Sequence, residues 1–307
     1  MKILEKEETM NTMNFTEFQN WAVREIRPVL SDDYRDATIR LQRLQKLGKS
    51  YEAMMVKKKE ETVVPVINLN HYYESYKNGM PREKILSEMK HIAEDRKRDF
   101  DLSWIDDYEK IRARLFVRVN NLSRMNRIPV PFTRIEDLSL TYHAMVDTGE
   151  SGLSSFTITT KMMERLHLTK EELHEDAIEN SRRILPVKIS NIFDVLERIV
   201  PREFDNTENC REMWIVSNTQ EINGAAALFY PGVMEEISSF FAGSYYVIPS
   251  SIHEMIVLKD ENSISRAKLR ETVRSVNRLV VKEEDWLSDH IYRYDADDKR
   301  LHICFKQ

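Results

Sequence analysis

The sequence predicts an α+β protein in which helices mix with strands that pair mostly as antiparallel hairpins. Short runs of alternating apolar and polar residues are typical of half-buried strands, and several follow one another across short polar turns. Other stretches repeat apolar residues every three or four positions, as amphipathic helices do. Strict strand–helix–strand alternation is missing, which favours α+β over α/β. The 307 residues suffice for two domains, and we expect an N-terminal helix-plus-sheet region and a larger C-terminal α+β region.

The first part of the chain is expected to hold a flexible tail over residues 1–13 and an α+β region over residues 14–125. Asn14 can cap a helix, because Glu17 follows three residues later in the capping-box pattern. Pro65 indicates that the third strand lies at a sheet edge, since proline donates no backbone hydrogen bond. The predicted strands cover about 37–41, 51–55 and 63–69, and the predicted helices cover about 14–28, 81–100 and 105–120. Residues 71–76 are expected to form a short helix or a loop.

The second part, residues 132–307, is expected to form a C-terminal α+β domain after a crossing that contains Pro129 and Pro131. Thr169 and Glu172 occupy capping-box positions at the start of another helix. The predicted strands cover about 138–146, 154–159, 185–189, 213–217, 225–230, 245–249, 254–258, 291–294 and 301–305. The predicted helices cover about 160–166, 169–183, 191–199, 232–241 and 265–279.

The charge balance makes nucleic acid and anionic membranes less favoured as partners. Lys and Arg number 46 and Asp and Glu number 51, so the formal net charge is −5. Such a chain has no global electrostatic attraction to nucleic acid or to anionic membranes. Basic residues between Arg82 and Arg127 are interspersed with acidic ones, which is more typical of a salt-bridged surface. Nucleic-acid binding through the helices of residues 82–127 is therefore the less favoured alternative.

Cysteine content and hydropathy indicate the compartment. The two cysteines, Cys210 and Cys304, form no CxxC pair, which argues against a cysteine zinc site and against a disulfide framework. No apolar run approaches the roughly 18 residues of a membrane span. The first 14 residues lack the apolar core of a signal peptide. We therefore expect a cytoplasmic protein without membrane association, and the sequence suggests no cofactor and no metal.

The strongest chemical candidate is the set Ser251, His253 and Glu254. A serine nucleophile needs a base to take its proton and a third group to orient that base, and all three residue types occur here. On an extended backbone, however, Ser251 and His253 point to one side and Glu254 to the other. The GxSxG elbow is also absent. A hydrolase site is thus one alternative, and a turn with serine caps and a hydrogen-bonded histidine is the favoured interpretation.

Motifs in both parts of the chain together carry a resemblance to a known family. They are NGAA at 223–226, YPGV at 230–233, PSSIHE at 249–254, VNR at 276–278, LSD at 287–289 and YRY at 292–294, with the stretch 51–121. In these the chain resembles an uncharacterised clostridial domain-of-unknown-function family (DUF 5688), whose members are often encoded on mobile or phage-like elements. The resemblance implies no activity and no catalytic residue. It does place Ser251, His253 and Glu254 within a family motif.

The functional prediction rests on the length of a folded chain whose sequence shows no recognisable metal, nucleotide or nucleophile motif. Such a chain favours a non-enzymatic macromolecular interaction or regulatory protein, and the partner is expected to be a protein. The resemblance adds a setting, namely a mobile element or phage and its conflict with host defence. The identity of the partner, any substrate and the oligomeric state stay open at this stage.

Overall fold

The computed structural model shows an α+β protein with two compact units, Met1–Phe100 and Asp101–Gln307. The residues that the structure describes are 13–46, 49–59, 64–94, 103–127, 129–149, 152–192, 213–260, 270–271, 273–274 and 281–304. Within them, helices combine with sheets whose strands pair antiparallel, as the alternating sequence patterns predict. The predicted fold class is therefore confirmed.

The first unit packs three helices against a three-stranded sheet. Its elements are α1 (Phe15–Val29), β1 (Thr38–Lys46), β2 (Lys49–Lys57), β3 (Val66–Asn68), α2 (Leu69–Lys77) and α3 (Arg82–Glu94). The predicted capping box is present, because the Asn14 side chain accepts from the Glu17 amide and the Glu17 carboxylate accepts from the Asn14 amide. The strand order β1-β2-β3 places β3 at an edge, as Pro65 indicates. Phe18, Ile67 and Ile85 bring the helices and the sheet into one core.

The second unit contains two sheets. Its helices are α4 (Tyr108–Arg112), α5 (Thr160–Arg165), α6 (Lys170–Ile184) and α7 (Val233–Phe241). One sheet is four-stranded and consists of β4 (Leu115–Asn121), β5 (Phe132–Ile135), β6 (Leu138–Gly149) and β7 (Gly152–Thr157). The other is six-stranded and consists of β8 (Val187–Asn191), β9 (Met213–Asn218), β10 (Tyr245–Ser251), β11 (Glu254–Lys259), β12 (Tyr292–Asp295) and β13 (Arg300–Ile303).

The strand order decides which elements are neighbours and which are edges. In the six-stranded sheet the order is β13-β12-β10-β11-β9-β8, so β8 lies at one edge. In the four-stranded sheet β6 pairs with β4 on one side and with β5 and β7 on the other. A buried 3₁₀ helix, Gly224–Phe229, contacts β4 of one sheet and β9 and β11 of the other. This helix therefore lies in the core that joins the two sheets.

Two predicted elements are wrong. The predicted helix over 105–120 ends at Arg112, and residues 115–121 form strand β4, whose alternate residues Leu115, Val117 and Val119 enter the core. The predicted strand over 225–230 is the buried 3₁₀ helix, because an apolar run that is covered on all sides has no period to distinguish helix from strand. Residues 193–200 and most of 265–279, where two further helices are predicted, lie outside the described residues, as does the predicted tail up to residue 12.

The division between the units differs from the expected boundary at residues 126–131. It falls at Phe100, and residues 101–125 belong to the second unit. The reason is the pairing of β4 with β6 from Leu115↔Ala144 to Asn121↔Leu138, which ties this stretch to the four-stranded sheet. Within the described ranges, none of the helices has the length and apolar character that crossing a membrane requires.

Candidate functional site

Ser251, His253 and Glu254 lie together at the tight connection between β10 and β11, where a β-bulge interrupts the pairing. Two backbone hydrogen bonds fix this turn. The amide of Ile252 donates to the carbonyl of Asp285 at 2.8 Å, and the amide of Ala225 donates to the carbonyl of Ile252 at 3.2 Å. The predicted candidate residues therefore sit on a turn that other segments of the second unit hold in place.

The three side chains do not form a relay among the described residues. The Ser251 hydroxyl accepts from the backbone amide of His253 at 3.1 Å, and the Glu254 carboxylate accepts from the hydroxyl of Ser250 at 3.0 Å. The structure thus gives no described hydrogen bond from Ser251 to the His253 ring or to Glu254. The hydrolase hypothesis stays a prediction without geometric support.

The His253 ring instead faces two groups that are distant in sequence. Its Nδ1 accepts from the amide of Asn223 at 3.2 Å, and its Nε2 lies 3.6 Å from the Asp285 carboxylate. The His253 side chain is 39% exposed and that of Asp285 is 24% exposed. An Nδ1 that accepts a hydrogen bond places the ring proton of neutral His253 on Nε2, towards Asp285.

Gly224 packs against this turn without room for a side chain. A Cβ atom there would lie 2.1 Å from the Ser217 hydroxyl, 2.6 Å from the Asn218 amide nitrogen and 2.6 Å from the His253 carbonyl oxygen. The Ser217 hydroxyl itself donates to that carbonyl at 2.8 Å. The NGAA segment therefore supports the candidate turn through close backbone approach, which only glycine permits.

A second polar cluster centres on Asp137, in the turn between β5 and β6. Its carboxylate accepts from the Ser288 hydroxyl at 2.7 Å and from the Nδ1–H of His290 at 2.9 Å, and it also accepts from the Tyr292 hydroxyl. Burial acts to raise the pKa of Asp137, but the three hydrogen bonds outweigh it and hold that pKa below its ordinary value. Burial, with the adjacent Asp137 charge, raises the pKa of Tyr292. The cluster ties the four-stranded sheet to the segment before β12.

Sequence reasoning missed this cluster, because Asp137 lies more than 150 residues before Ser288, His290 and Tyr292. A spacing pattern reports only neighbours, and the one available signal was that Ser288 and Tyr292 fall within the family motifs. Across the ranges that the structure covers, no three His, Cys, Asp or Glu side chains are placed to hold a metal ion.

The basic stretch of residues 82–127 falls on both units and is not one run of helices. Several of its cations have protein partners in the second unit. Lys110 pairs with Asp107 at 3.1 Å, and Arg112 pairs with Asp176 at 2.9 Å. Arg124 donates to the backbone carbonyls of Glu283 and Glu284. These contacts match the interspersed charges of the sequence, and nucleic-acid binding stays a prediction.

An accessible apolar cavity lies between α7 and the edge strand β8. This cavity of about 110 Å³ is lined by Ile189, Trp214, Ile237, Phe240, Phe241 and Val257, together with Glu236. Phe240 is 63% exposed and Ile189 is 37% exposed. The rings of Trp214 and Phe240 meet edge to face, with centroids 5.0 Å apart. These residues come from four elements, and sequence periodicity does not bring them together.

A second cavity continues along the same strand. It has a volume of about 340 Å³, and Arg182, Val187, Tyr230, Pro231 and Glu236 are among its lining residues. Glu236 borders both cavities, and β8 contributes Val187 to one and Ile189 to the other. We call the two cavities together the α7–β8 groove.

Comparison with known proteins identifies a family but no function. No curated protein matches this chain, and no solved structure matches it. Residues 15–296 match a family of unknown function (DUF5688), which spans both compact units and includes every motif of the predicted resemblance. Since the match covers most of the 307 residues, the chain belongs to this family of unknown function.

Proposed function

We propose that the protein binds another protein, and that an extended apolar segment of the partner lies in the α7–β8 groove. The main support is the exposure of Phe240, a large aromatic side chain that is 63% exposed beside an apolar cavity. Each Å² of apolar surface removed from water contributes about 25 cal/mol, and aromatic side chains bury the largest areas. Exposed aromatic clusters of this kind mark surfaces that bind partners.

The backbone of β8 supports an extended partner. In the part of the chain that is described, β8 pairs with β9 on one side and with no strand on the other. An open strand edge offers hydrogen bonds to an added strand. Val187 and Ile189 are two residues apart, so they lie on one face of β8 with a spacing of about 7 Å. Alternate side chains of an added strand have the same spacing and would enter the two cavities in turn.

Edge strands are also protected by short length and by lysine, and β8 has both features. Lys188, however, alternates with Val187 and Ile189 and so points to the opposite face of the sheet. Its ammonium group pairs with Glu221 at 2.6 Å. Lys188 therefore places no charge on the groove face of β8.

A phage-displayed library of random 12-residue peptides tests the proposal. We expect selection on the wild-type protein to enrich peptides with large apolar residues at alternate positions. The Phe240→Glu variant should bind a selected peptide at least tenfold more weakly, which corresponds to about 1.4 kcal/mol. N-methylation of alternate peptide amides should weaken binding as well, since it removes the added-strand hydrogen bonds.

Leu41→Glu is the control, because Leu41 is also an exposed large apolar residue, 41% accessible, and it lies on β1 of the first unit. It should leave peptide affinity unchanged. Failure to enrich any peptide, or equal affinity of wild type and Phe240→Glu, would refute the proposal. Concentration-dependent self-association that Phe240→Glu abolishes would show that a second copy occupies the groove.

We further propose that the protein acts in the cytoplasm and that its partner belongs to a mobile element or to the host defence against one. The low cysteine content supports the first part, and the family resemblance alone supports the second. Fractionation of native cells tests the location. The genes beside the coding sequence test the setting, and a neighbourhood of housekeeping genes would argue against it.

A further inference from the structure

One face of the four-stranded sheet is polar and buried. On β4, Leu115, Val117 and Val119 enter the core, so the alternate residues Phe116, Arg118 and Asn120 lie on the opposite face. On β6, which pairs with β4, the residues opposite these three are His143, Thr141 and Ser139. All of them except Arg118 are buried.

The neutral polar groups on this face are satisfied by one another. The Asn120 amide donates to the Thr141 hydroxyl at 2.8 Å, and that hydroxyl lies 2.9 Å from the Nε2 of His143. The Thr157 hydroxyl lies 3.3 Å from the Nδ1 of His143. The Ser139 hydroxyl donates to the carbonyl of Asn120 at 3.2 Å. These hydrogen bonds satisfy the buried neutral side chains on this face. The Arg118 guanidinium takes part in none of them.

Arg118 has no protein partner in the described structure. Its Nε is out of contact with solvent and forms no hydrogen bond. Among the described residues, no carboxylate lies within the 4.0 Å of its guanidinium that defines an ion pair. Burial lowers the pKa of Arg118, and Asp285 acts against this from a greater distance while it faces His253 at 3.6 Å. Nearby Arg124 differs, because two backbone carbonyls hold its guanidinium.

A buried polar group without a partner is unfavourable, and an anion that accepts a hydrogen bond from the Arg118 Nε removes this penalty. A guanidinium presents a planar fork of donors that matches the two oxygens of a carboxylate or a phosphate. We infer that Arg118 binds the oxyanion group, carboxylate or phosphate, of a ligand. Arg118 as a whole is partly exposed, which gives the ligand access. The site shares no lining residue with the α7–β8 groove and is independent of the proposed function.

Thermal unfolding in different anions tests the inference. Sodium phosphate and sodium acetate are each compared with sodium chloride at equal ionic strength. We expect one of the two oxyanions to raise the midpoint of wild-type unfolding, by roughly 5 °C at about 100 times its Kd. A response to phosphate alone assigns a phosphate group to the ligand, and a response to acetate assigns a carboxylate. The Arg118→Met variant should show neither rise, and its midpoint in chloride should equal or exceed that of wild type.

Arg124→Met is the control, because it removes a neighbouring guanidinium that already has partners. It should lower the midpoint in every salt and keep the wild-type response to the oxyanion. If Arg118→Met fails to fold, isothermal titration of wild type and Arg118→Lys with the same anion replaces it, with at least tenfold weaker binding expected for the lysine. A wild-type protein that responds to neither oxyanion, or an Arg118 variant that responds like wild type, would overturn the inference.

Discussion

His143 shows how a single residue makes the stability of this fold depend on pH. It is buried on β6, where the hydroxyls of Thr141 and Thr157 contact its two ring nitrogens. Burial, assisted by the positive charge of Arg118, holds the pKa of His143 well below its ordinary value of 6.5. The folded protein therefore keeps this ring neutral at pH values where the unfolded chain binds a proton.

We expect the free energy of unfolding to be fully retained above pH 6.5 and to fall below it. One proton that only the unfolded chain binds lowers the stability by about 1.4 kcal/mol per pH unit, until the folded pKa is reached. In the His143→Gln variant this dependence should be weaker by one proton. Urea unfolding at intervals between pH 5 and 8 measures both slopes.

His174 provides the internal comparison for the pH measurement. Its pKa is also lowered, chiefly by burial, and its Nδ1 lies 3.1 Å from the Tyr142 hydroxyl. His143→Gln should therefore retain part of the dependence, and the double variant with His174→Gln should lose more. Equal slopes for wild type and His143→Gln would show that His143 titrates normally in the folded protein.

At the scale of elements, helix α6 begins at a local capping motif. Side chains near its end also form hydrogen bonds with the backbone of β4, a strand that is distant in sequence. Thr169 and Glu172 form a reciprocal capping box at its start. Near its end, the Asn180 amide donates to the carbonyl of Leu115 at 2.7 Å, and the Ser181 hydroxyl accepts from the amide of Val117 at 3.0 Å. These side chains satisfy the backbone of β4, whose outer edge pairs with no strand of the described part of the chain.

We expect Asn180→Ala to destabilise the second unit by about 2 kcal/mol, because it leaves the buried Leu115 carbonyl without a donor. Thr169→Ala should cost about 1 kcal/mol, the usual effect of losing a helix cap. Urea unfolding of both variants against wild type measures the difference. A smaller loss for Asn180→Ala than for Thr169→Ala would mean that the edge contact contributes less than the cap.

At the scale of the whole molecule, the chain holds separate hydrophobic cores in its two units. One core consists only of residues between Phe18 and Ala93, and another only of residues between Trp104 and Leu301. A unit that has its own hydrophobic core is expected to fold by itself. The family match over 15–296 spans both, so the two units occur together in the family.

Fragments 1–100 and 101–307 should each unfold cooperatively when expressed alone. A fragment that extends to residue 125 carries β4 without its partner β6, and it should expose apolar surface and aggregate. Circular dichroism melting and size-exclusion chromatography distinguish these outcomes. Loss of cooperative unfolding in fragment 1–100 would show that the first core depends on the rest of the chain.

Local signals in the sequence predicted many of the elements correctly. The capping boxes at Asn14 and Thr169 and the strands β10 and β11 follow from residues within a few positions of one another. The buried helix Gly224–Phe229 and the strand β4 were mistaken, because surrounding tertiary contacts decide the conformation of a short apolar run.

The sequence by itself determined the fold class, the helix starts and the position of the 251–254 turn, since caps and periodicity act between near neighbours. Only the tertiary structure decided that His253 faces Asn223 and Asp285, that Asp137 holds His290, and that Arg118 stays without a partner among the described residues. It also assembled the α7–β8 groove. The physical reason is that such clusters depend on sheet order and burial, which bring together residues more than 150 positions apart.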